Sequence, residues 1–177
     1  MDIMRLIVSF LTPVVVLILG IWVKKASTDY EKRASLNDKI IAKRVGVYDE
    51  IGKDLNDIFA YVAQVGQWKD FSPEAIVNKK RSVDKIMYMN RPYWSTAAFK
   101  AYKDFIQTCF HTFNGIGEDA KIRAATIQFE KLPTWKEEWK SKWFYHEQSS
   151  HVEIFEKNDH LMKCLSNEFG YLQNGSV

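Results

Sequence analysis

Residues 6 to 23, LIVSFLTPVVVLILGIWV, form an uncharged and almost wholly apolar run. As a helix rising 1.5 Å per residue it spans roughly 27 Å, close to the ~30 Å hydrocarbon core of a bilayer. A cleavable signal peptide is the competing reading, with Arg5 as a short basic head. No small-x-small cleavage site follows, and Lys24 and Lys25 close the run directly, as at an uncleaved anchor. Residues 1–25 are therefore expected to be a transmembrane helix, and residues 26–177 a separate helical domain.

Flanking charge gives the expected orientation. Lys24, Lys25, Lys32, Arg33, Lys39, Lys43 and Arg44 follow the run, against Arg5 alone before it. The positive-inside rule then places the larger domain in the cytoplasm. Lys24, Lys25, Lys32 and Arg33 are expected at the membrane surface, where each basic group near anionic headgroups is worth about 1 kcal/mol. Within the span, Asp2, Arg5, Ser9, Thr12 and Gly20 fall in a sector of about 80° at 100° per residue. Such a stripe suits a helix facing other helices or water, but the span taken alone favours a monomeric anchor whose Ser and Thr bond backbone carbonyls.

The rest of the chain reads as all-α. Leu36, Ile40, Val47, Ile51, Leu55, Ile58, Phe59 and Val62 repeat at helical spacing, with Gly66 as terminator. Thr28 and Glu31 have capping-box spacing and mark a helix start or a bend, unless the amphipathic helix joins the apolar one without a full break. Ser72-Pro73-Glu74 opens a second helix that ends before Asn90-Arg91-Pro92. Ser95 or Thr96 opens a third, running through Phe113 to Asn114-Gly115-Ile116-Gly117. Thr134 and Glu137 form another capping box, and Trp135, Trp139 and Trp143 then recur every four residues as a packed helix stripe. A last helix carries Val152, Phe155, Met162, Leu165 and Phe169, with Gly170 as its stop. No run alternates convincingly as a strand.

Charge and motifs narrow the function. A net charge of +3 from 25 basic and 22 acidic residues is too balanced for electrostatically driven nucleic-acid binding, so no DNA partner is expected. The chain has no phosphate-binding glycine loop, dinucleotide fingerprint, HExxH or GxSxG. Two distant cysteines, Cys109 and Cys164, suggest neither a disulfide framework nor zinc. No metal, cofactor or enzymatic activity is expected. Lys79-Lys80-Arg81 reads as a solvated face, and His111 as a packed residue of the third helix.

The stretches KRVGVYDEIGKDLNDIFAYVAQVGQWK (43–69), RPYWSTAAFKAYKDF and CFHTFNGIGEDAKIR, together with the leading apolar helix, resemble the small single-span membrane accessory proteins of type VI-B CRISPR systems. That resemblance implies a divergent HEPN-like helical fold, often a ribonuclease fold whose active members carry Arg, four to six residues, then His. No arginine here has a histidine at that distance, and Lys140 before His146 is the nearest imitation. Asn158-Asp159-His160 resembles the motif's polar part, with Ile154 and Phe155 where its arginine stands. Asn158 and His160 are thus candidates for a degenerate site, and no catalytic residue is carried over.

The resemblance further implies a homo-oligomeric ring in the bacterial inner membrane, functionally linked to an RNA-guided ribonuclease effector and its RNA. Its pore would permeabilise or depolarise the membrane after phage sensing, with Arg5, Ser9, Thr12 and Gly20 as pore-lining candidates. The alternatives are a membrane-tethered RNA-binding or ribonuclease module and a single-span anchored scaffold.

Overall fold

A computed structural model of the chain describes the backbone of residues 2–112 and 115–170, and the side chains of 15–112 and 115–170. Four α-helices carry the architecture: α1 (Asp2–Val62), α2 (Pro73–Met89), α3 (Thr96–Cys109) and α4 (His151–Glu168). The all-α expectation holds, with one addition. Two two-residue strands, β1 (Phe110–His111) and β2 (Lys121–Ile122), pair antiparallel. The chain divides into two units, residues 1–40 and 41–177.

In the first unit, every described side chain up to Lys39 is exposed. Helix α1 runs through Thr28 without a start or bend, so of the two readings the unbroken continuation of the apolar helix holds. The Thr28 hydroxyl donates to the Lys24 carbonyl one turn back (2.9 Å), and Ser27 donates to the Glu31 carboxylate (3.2 Å). Both hydroxyls are satisfied along the helix, so neither acts as a cap. Among the described residues, no helix is long and apolar enough to cross a membrane; the side chains of residues 6–14 of the run lie outside them.

The second unit has the core. Val47, Ile51, Leu55, Ile58 and Val62 bury the predicted stripe of α1, whereas Leu36 and Ile40 of that stripe stay exposed. After Val62 the chain reverses through Gln64 and Gly66, both at positive φ (55° and 61°), and the Gln64 amide donates to the Ala125 carbonyl. Ser72 accepts from the Ala75 N–H (3.2 Å) and Ser95 from the Ala98 N–H (3.1 Å), so both predicted hydroxyl caps form. Ser150 does the same for α4 through the Glu153 N–H. Gly170, at φ +79°, follows α4 as expected.

The segment after α3 departs from expectation. The third helix stops at Cys109, not at Gly115, because Phe110 turns to extended backbone and pairs with Ile122. Phe113 and Asn114 lie outside the described residues. Ile122 also bridges Trp143 in parallel, and the Phe144 N–H donates to the Ile122 carbonyl (2.8 Å). The tryptophans therefore do not share an α-helix: Glu137–Lys142 is a 3-10 turn, preceded by Lys136 without a side-chain cap, and Trp143 is strand-like. They still cluster, Trp135 lying 5.8 Å from Trp139 and 5.4 Å from Trp143 between ring centroids. Trp143 is buried against Phe129, which also packs Tyr61 and Trp68. Helix α4 closes the core with Ile154, Leu161 and Leu165. Phe155 and Phe169 pack edge-on to Phe59 and Tyr48 of α1.

Candidate functional site

The small sheet positions a cleft of about 500 Å3. His111 of β1 and Lys121 of β2 stand at its hairpin side. Lys140 and Ser141 come from the 3-10 turn, and Trp143, Phe144, Tyr145 and His146 from the segment after it. His111 lies face to face with Phe144 (3.9 Å between centroids, 3° between planes), and His146 packs edge-on to the same ring. His111 is thus packed as expected, but it is a half-buried residue of β1 and not of the third helix.

The cleft's charges are held from outside its lining. Lys140 Nζ is 2.5 Å from Glu137 Oε1, and Lys121 Nζ is 3.5 Å from Glu118 Oε2. The hydrogen bond with Glu137 raises the Lys140 pKa, and its reciprocal effect lowers that of Glu137. Burial, then the nearby Glu130 charge, raises the Tyr145 phenol, which keeps it neutral. Among the described residues, the buried indole N–H groups of Trp143 and Trp94 have no hydrogen-bond partner. A buried donor left unmatched costs about 1–3 kcal/mol, so it calls for an explanation.

The sequence-predicted residues are scattered. The side chains of Arg5, Ser9 and Thr12 lie outside the described residues. Gly20 sits in α1 with no neighbouring atom within 4 Å of where a Cβ would stand. Lys24, Lys25, Lys32 and Arg33 are all exposed on the same helix. Arg44, counted with that basic group, is instead a tertiary anchor that bonds Tyr93 and Glu168. Asn158 and His160 lie on α4 about 200° apart, so they face different sides. His160 is exposed, with Nε2 3.8 Å from the Cys164 sulfur. Arg44, Arg81, Arg91 and Arg123 bind carbonyls or carboxylates.

The Lys79-Lys80-Arg81 cluster is also not a plain solvated face. Lys79 reaches Asp54 (2.5 Å) and Asp57 (3.0 Å), Lys80 is buried against Asp84 (2.6 Å), and Arg81 pairs with Asp119. Asp84 also accepts from the buried Tyr102 hydroxyl. These pairs tie α2 to α1, to α3 and to the loop before β2.

Lysine 140 and His146, six apart in sequence, do share the cleft; Lys121, Ser141 and Tyr145 join them without any signal in the spacing. Among the described residues, no group of three His, Cys, Asp or Glu is placed to hold a metal ion. No family model, curated protein or solved structure matches this chain.

Proposed function

We propose that the chain is a membrane-inserted accessory protein of antiviral defence that assembles as a homo-oligomeric ring and permeabilises the bacterial inner membrane. The observation that carries this reading is the uncovered apolar end of α1. Val16, Leu17, Ile18, Leu19, Ile21, Trp22 and Val23 are each more than half exposed in an unbroken helix. Covering a side chain of this kind is worth ~1.5–3 kcal/mol, so the set is worth on the order of 10 kcal/mol once lipid or sister helices surround it. The exposed Lys24, Lys25, Lys32 and Arg33 directly after it suit an anionic cytoplasmic leaflet.

A single span cannot conduct alone, so leak requires several copies around one axis. In that arrangement Arg5, Ser9, Thr12 and Gly20 line the axis, and the ring of Arg5 charges biases the lumen against cations. The resemblance to type VI-B accessory proteins supports the link to an RNA-guided ribonuclease effector.

The test is dye uptake and membrane potential in cells whose defence has been triggered. Ser9→Leu should suppress leak by making the constriction apolar, and Arg5→Glu should change ion preference. Both should leave expression of the 41–177 unit unchanged. Wild-type leak from both variants, together with intact defence after deletion of residues 2–23, defeats the proposal.

A further inference from the structure

We propose that the cleft of His111, Lys121, Lys140 and Phe144 is a nucleotide site, in which the two lysines hold a phosphate and the aromatic wall receives the base. This inference does not depend on the membrane reading.

Three observations converge on it. First, the lining contains two ammonium groups and no carboxylate, so it suits an anion. The two lysines are paired with Glu118 and Glu137, both more than half exposed at the side chain, and Glu130 acts on Lys140 from farther off. Exposed ion pairs contribute little to stability, so a phosphate can replace these partners at small cost.

Second, much of the wall is flat and aromatic: the parallel His111–Phe144 pair, with Tyr145 and His146 beside it. Base–aromatic stacking is worth ~1–3 kcal/mol per base, whereas an inorganic anion or an acidic side chain gains nothing comparable there. Third, about 500 Å3 lies within the ~300–1,000 Å3 common for small-molecule pockets and far exceeds a lone phosphate.

The frame is preorganised. The Phe144 N–H bond to Ile122, the Trp143 N–H bond to Lys140 and the β1–β2 pairing fix three distant segments against each other. Ordering them on ligand binding therefore costs little.

The phosphate and base can come from a free mononucleotide or from the phosphorylated end of an RNA strand. The full-length protein in mild detergent is titrated calorimetrically with adenosine monophosphate, adenosine and inorganic phosphate. A labelled, 5′-phosphorylated RNA hexamer is followed by anisotropy. The monophosphate should bind saturably and at least tenfold more tightly than adenosine or phosphate alone. Lys121→Ala/Lys140→Ala should weaken it at least tenfold, whereas Lys131→Ala, an exposed change outside the cleft, should not. Competition between the hexamer and the monophosphate assigns the source to a strand end, and saturable monophosphate binding without hexamer binding assigns it to the free nucleotide.

Two results overturn the site: no saturable binding of either probe, or binding unchanged in the double lysine variant. Adenosine or phosphate binding as tightly as the monophosphate refutes the two-part recognition.

Discussion

Replacing Arg44 by Ala should cost about 3–4 kcal/mol of folding stability. One guanidinium makes three bonds: Nε donates to the Tyr93 carbonyl (2.6 Å), Nη1 to the Glu168 carbonyl (3.2 Å), and Nη2 to the Glu168 carboxylate (2.8 Å). The side chains are 22% and 9% exposed, so solvent screens the arginine in part and the glutamate hardly at all. Hydrogen bonds from a charged donor are worth ~1.5–3 kcal/mol; at the low end, the two carbonyl bonds give about 3 kcal/mol. Removing one partner of a buried pair costs ~3–5 kcal/mol, mainly by orphaning the other charge. These effects overlap, which keeps the sum near the lower figure of that range. Arg44→Lys keeps the charge but loses the planar fork and should cost about half as much. Adding Glu168→Gln to Arg44→Ala removes the orphaned charge and should recover at least about 1 kcal/mol. Urea unfolding followed by tryptophan fluorescence measures all four proteins, with an unchanged slope as the check on the unfolded state. An Arg44→Ala loss below about 1 kcal/mol, or equal losses for Ala and Lys, refutes the reasoning.

The tryptophans should separate in the same assay. Trp143→Ala, at a fully buried site, is expected to cost ~3–5 kcal/mol, whereas half-buried Trp139 should cost roughly a third of that. Similar losses at both positions would contradict the described packing. At alkaline pH, stability should be full below about pH 8 and fall above it, first because burial holds the proton of the Cys109 thiol that an unfolded cysteine releases near ~8.5, and then through the tyrosines. Burial first, then Asp84, raises the Tyr102 phenol, and burial raises Tyr61, so the folded state keeps protons that unfolded tyrosines release near ~10. Lys79, raised first by its hydrogen bond to Asp54, adds loss in the same direction at slightly higher pH. Tyr102→Phe should flatten the decline by about 1.4 kcal/mol per pH unit; an unchanged slope removes Tyr102 from the account.

Local signals were legible and pairings between distant segments were not. Ser72-Pro73 and Ser95 declare helix starts within three residues of themselves, and Val47 to Val62 declare one buried face by spacing alone. By contrast, Cys109, Phe110 and Phe113 read as one helix side, because nothing nearby shows that Phe110 meets Ile122 twelve residues later. The four-residue spacing of the tryptophans imitates a helix, yet a 3-10 turn and a parallel bridge bring them together. Arg44 looked like the last of a membrane-facing basic series, and only its contacts with Tyr93 and Glu168 give it a structural role. The cleft was foreshadowed by Lys140 and His146, but its hairpin half depends on a strand pair too short to leave a periodic trace.

The placement of α4 sets an order of events during synthesis. Helix α3 ends at Cys109 and α4 begins at His151, so every contact between them waits for the intervening connection to leave the ribosome. Closing a loop of this length costs roughly 3 kcal/mol in chain entropy before any contact returns it. Until then the apolar side chains that meet Ile154, Leu161 and Leu165 stay open to solvent while the preceding α1 apolar segment has already been made. The nascent chain therefore passes through a stage in which the surface that α4 covers lies open, and a ribosome that stalls before His151 leaves a product prone to aggregate.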